Sequence, residues 1–391
     1  MEALQWIITN VSDGLNWMKA RAKPKCWWHW IVFSVFWLCM FIHLVTRLFG
    51  KTADFATFWW AGRLLLKGKD IYTPVQGVMP YVYPPFFAVL MIPFSLLPQK
   101  IAYLLWQLGQ IFGFAWSYYA LEKLLLEKVD SQANDRLYLT LLLWSPFVID
   151  NWRVGQYNHL QLICLTAMTV LLAQRKQKEA GFMLGLAIAT KPFFLAPILI
   201  WFVIKRLWWS FSICIVTTII LVWFVPVLIW GVNGAIDSLF RWYEQASTVV
   251  TGELMTTRDK SLISSLYRLL TPVDVSLDSN QHVFVNWLSL PPQVAMAIVF
   301  VLGVILAIIT LDHCYHRPMV ETDNRRLIWE IGLILNATML LLPLADRHHC
   351  LLMLPAFLWL ANSLIVTSSN IQCANKFYLS CSNRMVSLRA C

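Results

Sequence analysis

The chain has 391 residues, of which 59% are hydrophobic and only 13% are charged. Soluble globular proteins carry about 25% charged residues, so this composition excludes an ordinary soluble domain. Several apolar runs are longer than the ~20 residues that cross a bilayer, which predicts an all-α polytopic membrane protein with one integral domain. The formal net charge of +10 is spread over short loops and indicates membrane orientation, not nucleic-acid binding.

Nine cysteines are scattered along the chain, and no two of them have CxxC or zinc-ligand spacing. Most lie inside apolar runs, where cysteine packs as a small hydrophobic residue. The sequence therefore predicts neither a metal site nor a cofactor.

The first 26 residues are typical of an amphipathic helix with a basic flank. Apolar side chains recur near helical spacing over residues 2–18, and four basic residues follow before the first apolar run. Basic flanks favour the cytoplasmic side of a membrane. We therefore expect residues 1–26 on the cytoplasmic face, a first span at about 27–48, and an external loop over 50–100.

That loop opens with a lone carboxylate, Asp54, beside a run of aromatic residues. No packing requirement calls for an acid there, so we interpret Asp54 as a candidate general base; the alternative is an N-cap for a helix starting near Phe55. The aromatic run reads as a membrane-interface belt. Prolines break the apolar stretch 84–97, which is also too short to cross, so we predict juxtamembrane helices there.

Lys191-Pro192 interrupts a second apolar stretch, residues 180–204. A charge at mid-bilayer costs about 2.5–3.5 kcal/mol on insertion scales, and proline removes a helix hydrogen bond. We therefore predict two short helices, 180–190 and 193–204, with Lys191 at their outer vertex. Further spans are predicted at about 101–121, 137–149, 160–173, 208–230, 292–311, 327–344 and 350–365.

These spans give about ten crossings in a transmembrane domain over residues 27–366. A second outer loop occupies 231–291, and the polar tail, 367–391, lies inside. Of the 31 Lys and Arg residues, 18 fall in the inner segments, as the positive-inside rule favours. In the alternative topology 84–97 crosses and 180–204 is a single span, which moves the basic cluster at 175–178 outside.

The preferred topology gathers the polar residues of spans and loop edges on one side, and ionisable groups at membrane depth are functional candidates by default. This set comprises Asp54, Asp150, Arg153, Gln156, Asn158, Lys191, Ser261, Arg268, Asp346, Arg347, His348 and His349. Asp54 at the front of the chain, with several cations around it, suits the attack of an activated hydroxyl on a substrate with an anionic leaving group.

Four motifs carry a family resemblance: Asp54 in the first outer loop, Tyr72…Tyr83-Pro84-Pro85, Gly155-Gln156-Tyr157-Asn158, and Gly181…Gly185…Lys191-Pro192. In order and spacing they resemble glycosyltransferase family 87, over roughly residues 30–360. These are integral-membrane enzymes of the GT-C fold, similar to polyprenyl-phosphomannose-dependent α-1,2-mannosyltransferases.

The resemblance implies transfer of a sugar, usually mannose, from a polyprenyl-phosphate donor to a glycolipid or glycan acceptor, with inversion, at the non-cytoplasmic face of the plasma membrane. It implies Asp54 as the base, with no obligatory metal. Expected donor-phosphate ligands are Lys191, Arg268, Arg347, His348 and His349. Expected sugar or acceptor ligands are Gln156, Asn158, Arg153 and Tyr83.

Structural roles remain open for each of these residues, since Lys191 is also typical of a snorkelling anchor and Arg268 of an amphipathic surface helix. Two other function classes also remain. A transporter or flippase of a lipid-linked sugar predicts inverted repeats with matching broken helices, and one broken pair is visible. A structural subunit of an envelope-synthesis complex predicts that Asp54 is dispensable.

Overall fold

The computed structural model of this chain describes residues 25–126, 132–254, 259–275, 282–315, 323–342 and 345–368. Within these ranges the protein is helical, and the β-structure consists of one antiparallel bridge between Asp274 and Phe284. Most of the predicted N-terminal amphipathic helix and of the polar tail lies outside the described residues, so those two predictions stay predictions.

The first half of the chain forms nine helices within the described ranges. They are α1 Trp27–Phe49, α2 Asp54–Leu66, α3 Pro85–Leu90, α4 Ile92–Ser95, α5 Gln99–Leu125, α6 Ala133–Val154, α7 Asn158–Ala173, α8 Gln177–Thr190 and α9 Pro197–Ile204.

The second half begins with α10 and continues through a π-helical turn into a long helix. Its elements are α10 Trp208–Ile219, the π turn Ile220–Phe224, α11 Val225–Leu254, α12 Leu262–Leu270, α13 Pro292–Tyr315, α14 Asn324–Leu341, a 3₁₀ helix Arg347–Met353, and α15 at 354–368.

Four helical segments of the described chain are long and apolar enough to cross a membrane. They are Trp27–Phe49, Trp208–Val249, Pro292–Tyr315 and Arg347–Ser368. The protein is therefore an all-helical membrane protein, as its composition predicts. The count of ten crossings is not confirmed by this criterion and stays a prediction.

Prolines set the path of the first outer loop. Two short helices, α3 and α4, occupy the stretch 84–97, with six and four residues respectively. Since an α-helix rises 1.5 Å per residue, neither can span ~30 Å of hydrocarbon. The juxtamembrane interpretation of this stretch fits these lengths.

The break at Lys191-Pro192 also occurs as expected. Helix α8 ends at Thr190, and α9 begins at Pro197. Helix α8 packs closely on α10 at Gly181. There is no room for a side chain at this position, since an added Cβ would lie 2.3 Å from the Ser210 carbonyl oxygen. Small residues that let backbones approach are a common basis of helix packing in membranes.

Helix α11 departs from the sequence prediction. The predicted outer loop starts at residue 231, but the helix continues to Leu254 after a break at Gly231, where φ is +72°. Large apolar side chains remain exposed beyond the break, with Phe240 71% and Tyr243 70% exposed. Residues 231–254 are therefore helical, because Gly231 bends the helix without ending it, and their place in an outer loop stays a prediction.

The aromatic run of the first outer loop forms a core instead of the predicted interface belt. Phe55 and Phe58 are fully buried. The ring of Phe58 makes edge contacts with Tyr157 and Phe87, at 5.7 and 5.2 Å between centroids. These aromatic residues pack α2 and α3 against the start of α7, and this packing positions the N-terminus of α2.

Candidate active site

A cavity of about 560 Å³ opens where α2, the α6–α7 turn, the α8–α9 break and the 3₁₀ helix meet. This volume lies in the range of small-molecule sites. Its wall consists of Asp54, Met79, Val82, Tyr83, Pro84, Arg153, Val154, Gln156, Lys191, Pro192, Phe193, Trp242, Ala246, Val249, Asp259, Lys260, Asp346, Arg347, His348 and His349.

Asp54 is the first residue of α2 and is half-buried. It does not act as an N-cap, because the cap position is Ala53 and no side chain caps this helix. Instead its Oδ2 accepts a 2.6 Å hydrogen bond from Nε2 of Gln156. Ala53 has a φ of +47°, in the left-handed region that non-glycine residues rarely adopt. This strained entry turns the Asp54 carboxylate toward the cavity.

Gly155 allows that hydrogen bond to form. It caps the C-terminus of α6 with a φ of +71°, and an added Cβ would lie 3.1 Å from Cβ of Phe55. Glycine adopts this conformation without steric cost. The α6–α7 turn can therefore pass close to the start of α2 and bring Gln156 to Asp54.

The electrostatic environment of Asp54 combines the partial burial of its carboxyl with nearby basic side chains. Burial raises the pKa of its carboxyl above the ordinary value, because charge is poorly solvated there. His348, the hydrogen bond from Gln156 and Lys191 act in the opposite direction, in that order. A carboxylate with a raised pKa takes up a proton more readily at neutral pH than an ordinary aspartate does.

Gln156 is held from two sides. Its side-chain amide lies 3.3–3.4 Å from the hydroxyl of Tyr83, and its backbone carbonyl accepts from the Asn151 amide at 3.3 Å. Because both partners are buried, the Gln156 side chain has little freedom to leave Asp54. The structure therefore brings together three of the residues that the sequence predicted for the site: Asp54, Gln156 and Tyr83.

Lys191 lies at the α8–α9 break and is only 8% exposed. Its Nζ is 2.6 Å from Nε2 of His349 and lies over the rings of Tyr83, Tyr157 and Phe194. Burial lowers the pKa of the Lys191 ammonium to about 7, although Asp54 and Asp346 raise it.

The partners of His349 explain how this amine is held. Nδ1 of His349 accepts a hydrogen bond from the backbone N–H of Asp346 at 3.2 Å, so the single proton of a neutral imidazole lies on Nε2. Nε2–H then donates to Lys191, which must accept as an uncharged amine. An arriving anion would favour the ammonium form, so the site can gain positive charge when a phosphate binds.

Asp346 organises the other end of the cavity wall. It caps the 3₁₀ helix in a reciprocal capping box with His349, and its Oδ1 accepts from the Arg347 N–H at 2.7 Å. The capped turn presents Arg347, His348 and His349 to the cavity in consecutive positions. The backbone carbonyl of His348 also accepts from the Asn158 amide at 3.0 Å.

Arg153 lines the cavity and is paired at its edge. Its NH2 group lies 2.8 Å from Oδ1 of Asp150, an i,i+3 ion pair on α6. Arg347 lies 4.0 Å from the same oxygen and is 62% exposed. These two arginines therefore form an accessible basic rim, in contrast to the buried Lys191.

Two predicted ligands lie outside the cavity wall. Asn158 is fully buried and donates to Asn151 and to the His348 carbonyl, both at 3.0 Å. Arg268 donates to the Asp259 carbonyl at 2.9 Å and faces the loop before α12. In this structure Asn158 supports His348 and Arg268 supports Asp259, each through a hydrogen bond to a backbone carbonyl. Their roles as ligands stay predictions.

Sequence reasoning missed Lys260, Asp259 and Trp242 in the cavity wall. The Lys260 N–H donates to the Ala345 carbonyl at 3.1 Å, which brings this loop beside the 3₁₀ helix. Trp242 donates to the Val82 carbonyl at 3.2 Å. These contacts join segments far apart in the chain, so no local sequence pattern predicts them. The one available signal was the isolated charge of Lys260 in an outer loop.

The sequence profile of glycosyltransferase family 87 matches residues 81–364, which is more than half of the chain. The chain belongs to glycosyltransferase family 87. The predicted family resemblance is thereby confirmed, and the membrane protein is a glycosyltransferase that acts on a sugar donor and an acceptor. No curated protein and no solved structure matches it.

Most of the cavity wall of this family 87 member lies inside the matched region, from Tyr83 to His349. Asp54 precedes that region, so its assignment depends on its geometry: a carboxylate that opens onto the same cavity as Lys191 and is hydrogen-bonded by Gln156. The arrangement can abstract a proton on one side and stabilise a departing anion on the other.

Proposed function

We propose that this family 87 enzyme has the GT-C fold and transfers mannose from a polyprenyl-phosphate donor to a hydroxyl of a glycolipid or glycan acceptor. The transfer inverts the anomeric carbon, and Asp54 is the general base. The observation that carries the proposal is the single cavity in which the Asp54 carboxylate and the buried amine of Lys191 both form part of the wall.

Asp54 suits the role of base because it lies within the cavity and its pKa is raised by burial. A base whose pKa approaches the working pH accepts a proton efficiently in the transition state, and such help is worth about 10²–10⁴-fold in rate. Gln156 fixes the carboxylate by its bond to Oδ2. The acceptor hydroxyl would then attack the anomeric carbon as Asp54 takes its proton.

Lys191 and His349 suit the leaving phosphate. Polyprenyl phosphate departs with growing negative charge, and hydrogen-bond donors placed to receive developing charge are a large catalytic contribution. The Lys191–His349 pair meets the cavity from the side of the 3₁₀ helix. Arg347 and Arg153 at the rim would attract the anionic headgroup, and Lys260 adds a further cation.

Sugar and acceptor contacts fall to Gln156 and Tyr83 on one side and Trp242 on the other. Hydroxyl and amide groups fix orientation in sites of this kind, and the apolar wall around them excludes water. Met79, Val82 and Phe193 supply apolar surface suited to an isoprenoid chain.

We further propose that the cavity faces the outside of the plasma membrane. It lies at the end of the bundle that carries the first outer loop. At the other end Lys205 and Arg326 meet at Glu330, and Arg136 pairs with Glu122. Basic residues favour the cytoplasmic side. Helix α14 joins the two ends: Glu330 lies at the far end, and the helix terminates at Leu341, shortly before Asp346 of the cavity wall. Residues 330 and 341 are about 16 Å apart along the helix, so the two ends are well separated.

The test is sugar transfer by purified protein in phosphatidylcholine nanodiscs, with polyprenyl-phosphate-mannose and a mixed acceptor-lipid extract. Wild type is compared with Asp54→Asn, which keeps size and hydrogen bonding but removes the base. Asp70→Asn is the matched control, since Asp70 is a carboxylate of the same loop that pairs with Arg241 outside the cavity.

We expect product from wild type and from Asp70→Asn, with a loss of about 10²–10⁴-fold in Asp54→Asn. Equal activity of Asp54→Asn and wild type would overturn the assignment of the base. Binding of the donor without transfer, by all three proteins, would overturn the donor assignment and favour a transporter, which a flipping assay would then examine.

A further inference from the structure

His348 has one ring nitrogen with no hydrogen-bond partner. The residue is 7% exposed, and its Nδ1 is fully enclosed without a donor or acceptor within bonding distance. Orphaned polar atoms of this kind are uncommon, and each one calls for an explanation such as a bound ion. The position of Nδ1 beside two carboxylates makes that explanation specific.

Two carboxylate oxygens face this nitrogen. Oδ2 of Asp150 lies 3.6 Å from Nδ1, and Oδ2 of Asp346 lies 3.7 Å from it. Each acid uses its other oxygen for protein contacts: Oδ1 of Asp150 accepts from Arg153, and Oδ1 of Asp346 accepts from a backbone N–H. One carboxylate oxygen from each acid and one ring nitrogen of His348 all lie within 4.8 Å of one another.

A bare nitrogen lone pair facing two anionic oxygens is repulsive, so a positive group belongs between them: a proton on Nδ1 or a metal ion. An N–H···O hydrogen bond spans about 2.7–3.2 Å, which is shorter than either separation here. Ligand atoms bound at about 2.1 Å to a tetrahedral ion lie about 3.4 Å apart. The observed spacing is closer to that of a metal site.

We propose that Asp150, Asp346 and His348 form a divalent metal site in the wall of the cavity. One imidazole and two carboxylates suit Zn²⁺ or Mn²⁺ better than an all-oxygen cation such as Ca²⁺. The bond from Arg153 to Asp150 orients that carboxylate from outside the site, a role that often falls to the partners of metal ligands. This proposal departs from the metal-free chemistry that the sequence suggests.

Only one other trio of possible ligands exists in the described part of the chain: Cys26, His29 and Asp135. There Nε2 of His29 already lies 3.0 Å from Oδ1 of Asp135, a normal hydrogen bond. His29 is as deeply buried as His348 and is also paired with an aspartate. That trio therefore provides a matched control and not a second candidate.

Asp346 and His348 line the cavity, so an ion held by them would have an open position toward the ligand. A phosphate oxygen is the group expected to fill that position, since a bound cation polarises phosphoryl oxygens and orients them. The choice of phosphate rests on the proposed function, whereas metal binding itself does not require it.

The test uses full-length protein in phosphatidylcholine nanodiscs, stripped with EDTA and titrated with Mn²⁺ without sugar donor. Electron paramagnetic resonance counts bound Mn²⁺, and electron-spin-echo modulation detects coupling to a histidine ¹⁴N nucleus. The variants are His348→Gln, Asp346→Asn and the control His29→Gln. Asp346 is 38% exposed at its side chain, so Asp346→Asn tests the same site without replacing a buried residue.

We expect one Mn²⁺ per chain, displaced by Zn²⁺, with a ¹⁴N coupling that His348→Gln abolishes and His29→Gln retains. Asp346→Asn should weaken Mn²⁺ binding by at least about 10–100-fold. If wild type binds no Mn²⁺ or Zn²⁺, or if His29→Gln alone removes the signal, the proposal is overturned and Nδ1 carries a proton. Because no donor is present, either result leaves the sugar-transfer proposal to be judged separately.

Discussion

Each end of the helix bundle buries charged residues, and the two ends do so differently. At the end opposite the cavity, Glu330 is 1% exposed and both of its oxygens are paired: Oε1 accepts from Lys205 and Arg326, and Oε2 accepts from Trp201. At the cavity end, Asp54 accepts one hydrogen bond, from Gln156, and opens onto about 560 Å³ of space.

The two buried lysines repeat this contrast. Lys205 donates to Glu330 at 2.9 Å and to the Cys314 carbonyl at 2.6 Å, so its charge is paired with a carboxylate. Lys191 meets a neutral histidine and aromatic faces, and its pKa falls to about 7. Burial of matched charges joins helices together, whereas burial of unmatched charges prepares a site to receive a charged ligand.

The largest effect on stability should come from Glu330→Gln. The change leaves Lys205 and Arg326 buried without a counter-charge, and breaking such a pair typically costs about 3–5 kcal/mol. We expect a clearly lowered thermal unfolding midpoint in nanodiscs, with an unchanged transfer rate per folded molecule. A normal midpoint would show that the far-end network does not join α9, α13 and α14 as described.

Lys191→Met and Lys205→Met compare the two lysines directly. We expect Lys191→Met to lower kcat/KM for the donor by about 10²-fold, because a group that stabilises the leaving phosphate is lost, with little change in unfolding midpoint. Lys205→Met should do the reverse, because it removes the buried ion pair with Glu330 and the hydrogen bond to the Cys314 carbonyl. The same response in both variants, in either measurement, would contradict the distinction between the two ends.

The pH dependence of kcat/KM should be bell-shaped. Asp54 acts when deprotonated, so activity falls as pH drops through its pKa, which burial places above the ordinary aspartate value. Lys191 acts when protonated, so activity also falls as pH rises beyond about 7. Each limb should approach tenfold per pH unit.

Variants assign these two limbs. Asp54→Asn should lose the acid limb, and Lys191→Met should lose the alkaline limb. An acid limb that persists unchanged in Asp54→Asn would assign it to another group.

Arg268→Gln should have the smallest effect on transfer. Its guanidinium contacts the Asp259 carbonyl and the Ser265 hydroxyl, outside the cavity wall. We expect about 1 kcal/mol of lost stability, the usual worth of such a hydrogen bond, and a donor KM within about twofold of wild type. A KM raised by tenfold or more would restore Arg268 as a phosphate ligand.

The sequence was most informative where local chemistry decides the structure. Prolines and a charge inside an apolar run predict the short helices α3, α4, α8 and α9, because proline and buried charge are unfavourable in a continuous span. Asp54 was identifiable as a lone acid beside aromatic residues. Its predicted companions Gln156, Tyr83 and Lys191 do share its cavity.

Tertiary contacts account for what the sequence could not supply. The sequence predicts that Arg268 and Asn158 lie near the site. Only the folded chain shows that each side chain donates a hydrogen bond to a backbone carbonyl. Lys260 reaches the cavity through a bond to Ala345, 85 positions along the chain. Likewise, the sequence does not show whether Gly231 ends α11 or only bends it, because glycine permits either conformation.

The most direct test of this account is a paired measurement on Asp54→Asn and Glu330→Gln: transfer rate per folded molecule and thermal unfolding midpoint, in the same nanodiscs. The account predicts opposite outcomes, with a rate loss of about 10²–10⁴-fold at a normal midpoint for Asp54→Asn, and a lowered midpoint at a normal rate for Glu330→Gln. Parallel behaviour of the two variants, either both unstable or both normal in rate, would contradict the assignment of chemistry to the cavity end and structure to the other.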